Sequence, residues 1–313
     1  VWSLVGGQIA AAAFEFICLW YLVPWRPSPR LASWSMLREL SRYARFAGVW
    51  SFATFLKSTV DTIAVGRLLG ATAVGFYSVA FRLATSPDSL FSYVILKAMF
   101  PAFASIQHDL EAFRRTFVQH VQRMLLLVLP VTIFLAIAAE PVVLTLLGRD
   151  WASIVTPVRI LAIAGFVSAV SATTSAVFRG AGRPELAMRY VVANVVLLIP
   201  ALIVLVKAFE VDGAAAAVLG CLAVTTIPAL FRTLRLIELP VRSLLQASRP
   251  ALVCSTILAA VLAVLLPATE AARPVVAFAV MLGGGIGAYL ASTAVFARGV
   301  VIPMWLDLRG SGT

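Results

Sequence analysis

Nine apolar stretches, each 17 to 27 residues long, run through this 313-residue chain and leave room for little else. A bilayer core about 30 Å thick takes roughly 20 residues of helix. Hydrophobic residues make up 61% of the sequence and charged residues 12%, about half the charge of an ordinary globular domain. With so few polar side chains no water-facing surface can be built, so the chain reads as an integral membrane protein. Backbone groups in lipid must pair within the protein, so the expected fold is an all-α bundle of about nine transmembrane helices.

We place the spans at 2–23, 46–69, 74–100, 124–147, 154–178, 186–209, 214–231, 250–266 and 274–296. Alternate connections differ sharply in charge. One set, with the C-terminal tail, holds Arg26, Arg30, Arg38, Arg42, Arg45, Arg114, Arg115, Arg123, Arg179, Arg183, Arg189, Arg232, Arg235, Arg242, Arg249, Arg298 and Arg309. That is seventeen of the 25 Lys and Arg; the opposite set holds only Arg67, Arg149, Lys207 and Arg273. The positive-inside rule puts the first set and the C-terminus in the cytoplasm. Val1 then starts outside. With no initiator Met the chain reads as truncated, and an odd number of earlier helices is expected.

The same residues exclude several classes. The net charge of +11 is scattered over short connections, with no basic domain to form a nucleic-acid groove. Cys18, Cys221 and Cys254 share no short spacing and read as small core hydrophobes, so neither disulfides nor a metal site is indicated. His108 and His120 fall in one connection. No Gly-x-x-x-x-Gly-Lys-Ser/Thr loop supports ATP-driven transport, and no cofactor is implied. External connections (70–73, 148–153, 210–213, 267–273) are too short for a catalytic domain. Cytoplasmic segments 33–46, 105–122 and 232–249 mix Leu, Phe and Trp with Arg, as helices lying on an anionic leaflet do. A solvated linker is the alternative.

Several motifs then carry a resemblance. They are Asp61-Thr-Ile-Ala-Val-Gly66-Arg67-Leu-Leu-Gly70, Gly75-Phe76-Tyr77-Ser78 through Arg82-Leu83, and Phe100-Pro-Ala-Phe-Ala-Ser-Ile-Gln107. Leu147-Gly-Arg-Asp-Trp151, Gly180-Ala-Gly-Arg-Pro184 and Asp212-Gly213 follow in order. Together they resemble the Wzx-like polysaccharide (O-antigen and exopolysaccharide) flippases of the multidrug/oligosaccharidyl-lipid/polysaccharide exporter superfamily. The resemblance is best from about Arg45 to Ala217. It implies a MATE-like transporter of about fourteen helices in two six-helix lobes plus two, here lacking the first five. Residues 1–24 are then the last helix of the N-terminal lobe, 25–45 a cytoplasmic linker and 46–231 the C-terminal lobe. The remainder is a second cytoplasmic connection (232–249), two added helices (250–297) and a tail (298–313). Thr62 departs from the polar amide that many relatives carry there.

Ionisable residues inside a membrane are expensive and mark candidate sites. Lys57 and Asp61 lie four residues apart on one helical face, which Ser51, Thr54 and Ser58 extend. Such a stripe fits a water-filled cavity or a buried ion pair. Arg82 and Asp88 flank Pro87, where a lost backbone donor loosens the helix. Arg82 suits an anionic head group or an acid across the bundle such as Asp61. Glu15, on one face with Gln8, is a candidate ion-coupling group or an interhelical hydrogen-bonding contact. Arg67, Lys97 and Arg159 read as anchors near helix ends. Pro130, Pro157, Pro200 and Pro228 mark bends or hinges.

The resemblance implies a secondary carrier, not an enzyme, in a bacterial inner membrane. It would flip polyprenyl-diphosphate-linked oligosaccharides by alternating access. Lys57 and Arg82 would touch the anionic carrier, and Asp61, Asp88 and Glu15 would tune charge or take a coupling ion. Its partners would be membrane lipids, the lipid-linked oligosaccharide, and a polysaccharide polymerase with its export machinery. Two rival readings are a cation-coupled multidrug exporter, with a more apolar and acidic cavity, and a polysaccharide polymerase or ligase, which needs a large external loop. A non-transporting scaffold would need no charged stripe.

Overall fold

A computed structural model of the chain describes residues 2–22, 33–85, 103, 105–106, 109–269 and 272–297. It divides into two units, Val1–Val49 and Trp50–Thr313. The first holds α1 (Trp2–Leu22), an apolar helix whose described side chains are nearly all exposed. α2 (Trp34–Leu69) begins there and ends in the second unit. The second unit continues with α3 (71–85), α4 (Leu110–Leu146), a 3₁₀ turn (Arg149–Ile154) and α5 (Val155–Gly180). It closes with α6 (Pro184–Leu236), α7 (Val241–Thr269) and α8 (Pro274–Phe296). No strand occurs among the described residues.

Among the described residues six helices are long and apolar enough to cross a membrane, α1 and α4 through α8. The polar stripe keeps α2 out of that set, and the third expected span (74–100) is described only as far as residue 85. α6 accounts for two spans. A straight helix of its 53 residues would be about 80 Å long, far more than a bilayer. At Phe209 (φ −134, ψ 16) and Glu210 (φ 50, ψ −126) the backbone leaves helical geometry and the chain folds back. Asn194 on the first arm donates to Thr225 on the second at 3.2 Å, which fixes the register. Gly213 lies so close to Leu205 that a Cβ there would stand 1.9 Å from the Leu205 carbonyl oxygen. The reversal is thus tighter than the expected connection at 210–213.

α4 departs from helical geometry at Ala138 (φ −92, ψ 17). The cause is Pro141, whose ring pushes against the carbonyl four residues earlier. Pro130, expected to interrupt this span, sits in regular helix. Asp109 starts α4 by accepting from the Glu111 and Ala112 N–H groups at 3.0 and 2.9 Å, satisfying two otherwise orphaned donors. The apolar span and residues 110–122 form one helix. His120, expected in a connection, is therefore buried in α4, with Nε2 3.1 Å from Thr173 Oγ1 of α5.

The turns sort to two ends. The α2–α3 connection, the 3₁₀ turn and the α6 reversal meet around one cavity through Leu69, Thr72, Ile154 and Glu210. The 3₁₀ turn and the α7–α8 connection meet around another through Arg149, Ala152 and Ala272. At the opposite end Arg114, in the first turns of α4, donates from Nε to the Ile237 carbonyl at 2.6 Å and from Nη2 to Glu238 at 2.7 Å. Two apolar clusters lie between. One includes Val65, Tyr77, Leu161, Leu202 and Leu262, the other Phe103, Phe117, Val177, Ile237 and Cys254. Alanines at 138, 139, 162, 164, 214, 215 and 217 are buried, the small-residue packing that lets membrane helices approach closely. Cys221 and Cys254 are buried without a disulfide, and Cys18 is half-buried on α1.

Candidate functional site

Trp50, Thr54, Lys57 and Asp61 recur at intervals of four, three and four residues, one face of α2. α5 answers with Ser168, Ser171, Ser175 and Arg179 at similar intervals, and the first arm of α6 with Tyr190, Asn194 and Leu198. Together with α3 these faces line an open-sided cavity of about 260 Å³. Lys57 and Asp61 line it from α2, Phe81 and Thr85 from α3, Ser168 from α5 and Asn194 from α6. A second cleft of about 20 Å³, wide enough for a water, shares Lys57 and Asn194 and adds Ser171, Thr174, Ser175 and Tyr190. Beyond it Arg179 lies over the Trp50 ring at 5.9 Å, while Phe178 stacks on Tyr190 at 5.8 Å.

Asp61 is 3% exposed, and a buried carboxylate left alone costs several kcal/mol. The fold supplies donors. Tyr77 Oη, fully buried on α3, donates to Oδ2 at 2.7 Å, and the Thr62 N–H donates to Oδ1 at 2.7 Å. The Thr62 hydroxyl adds a longer contact to Oδ1 at 3.4 Å. Lys57 is half-buried one turn away on the same cavity wall.

The structure therefore brings Lys57 and Asp61 to one cavity. Arg82 is exposed on α3 and is not in the wall that Phe81 lines. Glu15 is exposed on α1, in the other unit, and Asp88 lies outside the described residues. Asp61 takes its hydrogen bonds from Tyr77 and Thr62, not from Arg82. Sequence reasoning missed Tyr77, Ser168 and Asn194. Signals existed for two of them: Tyr77 stands in one of the motifs that carry the resemblance, and Asn194 is the only asparagine in the chain, in an apolar span.

Comparison with known proteins agrees with this architecture. Residues 1–156 match a family model described as a polysaccharide biosynthesis protein. An uncharacterized membrane protein in the cps region of Klebsiella pneumoniae is 29% identical over 204 residues, 64% of this chain and 42% of that protein. The lipopolysaccharide biosynthesis protein WzxC of Escherichia coli (strain K12) is 27% identical over 184 residues, 58% of this chain and 37% of its own length. The chain thus spans well under half of these relatives. Among solved structures, the lipid II flippase MurJ in an inward closed conformation superposes with a TM-score of 0.59 at 16% identity, over 80% of this chain and 53% of that one. That likeness establishes the fold, a multi-helix bundle. By the family match over residues 1–156 and the relatives' names, the chain is similar to the Wzx-like polysaccharide biosynthesis proteins of the membrane.

Proposed function

We propose that the chain forms the C-terminal lobe and added helices of a flippase for lipid-linked oligosaccharides. Its substrate would be a polyprenyl-diphosphate-linked sugar unit, moved from the cytoplasmic to the external leaflet by alternating access of two lobes. The carrier would be secondary, not an enzyme, with its C-terminus in the cytoplasm. The observation that carries the reading is the cavity between apolar helices with Lys57 and Asp61 on one wall and Thr85, Ser168 and Asn194 set among apolar residues on the others. Moving a hydrophilic head group through about 30 Å of hydrocarbon demands such a lining, and a scaffold would not. Lys57 suits the anionic diphosphate or an acidic sugar, with Arg82 on α3 and Asp88 as further candidates. Asp61 is the candidate coupling group, and Glu15 on α1 a second. A polymerase and export machinery would use the product.

The test is the leaflet distribution of polyprenyl-linked sugars in cells depleted of the intact gene product. Accumulation on the cytoplasmic face, relieved by re-expression, is expected. An unchanged distribution with altered drug sensitivity would move the protein to the multidrug exporters.

A further inference from the structure

The cavity beside Lys57 and Asp61 is walled by more than charge. Phe81 presents an aromatic ring from α3, and Thr85 follows one turn on. Gly165 and Ser168 make the α5 wall and Asn194 the α6 wall. Asn194 is 3% exposed, and an amide side chain has two N–H donors and a carbonyl acceptor. One donor goes to Thr225 Oγ1. Among the described residues nothing takes the second donor or the carbonyl, so both are available to whatever fills the cavity it lines. The Ser168 hydroxyl stands on the same terms.

Volume narrows the occupant. Pockets for drug-sized ligands run roughly 300–1,000 Å³, and a site for one water needs about 10–15 Å³. The space between these walls, about 260 Å³, lies just below that range and is far larger than a water or an ion needs. One sugar ring suits it, and the chemistry agrees. A sugar ring has an apolar C–H face, which packs on an aromatic ring, and a rim of hydroxyls that both donate and accept.

We propose that this cavity is a subsite for a single sugar ring of the translocated head group. Phe81 lies under the C–H face, Asn194 and Ser168 bond the hydroxyls, and Lys57 stands toward the anionic part. The inference rests on the flippase reading and deepens it: the uncharged wall reads the sugar, and the charges hold the carrier.

The test uses the purified intact protein in lipid nanodiscs with two radiolabelled probes. One is the sugar-bearing polyprenyl diphosphate extracted from the producing cells, and the other is polyprenyl diphosphate without sugar. Ser168→Leu and Asn194→Leu are expected to weaken binding of the sugar-bearing probe about tenfold or more and to leave the bare probe within about twofold. Asn194→Leu disturbs a buried hydrogen bond and is open to misfolding, so a photoreactive benzophenone side chain at position 81 gives an independent readout. It should cross-link to the sugar-bearing probe and not to the bare one. Equal losses for both probes, or none for either, would overturn the subsite while wild-type binding of the sugar lipid upheld the flippase. Binding of neither probe by the wild type would overturn both.

Discussion

Tyr77 and Asp61, sixteen residues apart, meet at 2.7 Å across the α2–α3 hairpin, the phenol donating to Oδ2 in a buried setting. Among the described residues neither side chain has another long-range hydrogen-bond partner, so the contact ties α3 to the polar face of α2. Tyr77→Phe removes one donor and leaves the carboxylate oxygen buried, which should cost about 1–3 kcal/mol. Asp61→Asn keeps an acceptor for the phenol and removes the charge, so it should cost less. A double-mutant cycle read by thermal unfolding in detergent checks this, and additive effects of Tyr77→Phe and Asp61→Asn would mean that the two side chains do not couple.

The α6 reversal depends on the missing side chain at Gly213. A methyl group there would stand 1.9 Å from a backbone oxygen, which cannot rotate away as a flexible side chain can. Gly213→Ala should therefore open the hairpin or shift an arm, at a cost of about 4 kcal/mol or more. Gly283→Ala in α8 meets nothing within 4 Å and should be neutral or slightly stabilising. The pair, compared for membrane abundance and melting temperature, separates a packing requirement from general intolerance of substitution.

At the other end, one arginine makes two contacts of unequal worth. Arg114 bonds the Ile237 carbonyl and also pairs with Glu238, whose side chain is 71% exposed. Exposed ion pairs are worth at most about 1 kcal/mol, and Glu238 itself sits at φ 49, a region that disfavours its side chain. Arg114→Ala should thus cost about 1–2 kcal/mol, while Glu238→Ala should change stability by less than about 1 kcal/mol. Equal losses in thermal unfolding would show that the ion pair, not the carbonyl contact, holds α4 to the α6–α7 connection.

Much of this fold is written in periodicity. Apolar runs mark the spans, and Lys57 with Asp61 stands out because charges are rare in them. What could not be read is which partners turn toward those charges. Tyr77 looks like any membrane tyrosine until α3 packs on α2, and Ser168 like any small residue of a helix interface. Arg82 shows the converse. Its charge makes it as conspicuous as Lys57, but its position on α3 leaves it exposed and out of the cavity wall. The α6 hairpin was legible as two spans with Asp212-Gly213 at the turn, whereas the tightness of the reversal rests on the approach of Gly213 to Leu205, which only the fold shows. Residues 105–122 looked like a separate surface helix because their charges end where the apolar run begins. A helix continues through such a change when its backbone bonds are uninterrupted, as they are from Leu110.

That contrast between the two cations gives the last prediction. Lys57 lines both the larger cavity and the water-sized cleft, whereas Arg82 belongs to neither wall. A charge-assisted hydrogen bond to an anionic group is worth about 1.5–3 kcal/mol, roughly a ten- to hundredfold change in binding. Lys57→Met keeps the apolar stem and removes the charge, so it should depress transport by about that factor at normal abundance. Arg82→Met should lower transport only a fewfold. The leaflet assay in depleted cells reads both variants side by side. Equal defects would place the head group against α3's exposed face instead, and a silent Lys57→Met would remove that lysine from the substrate path.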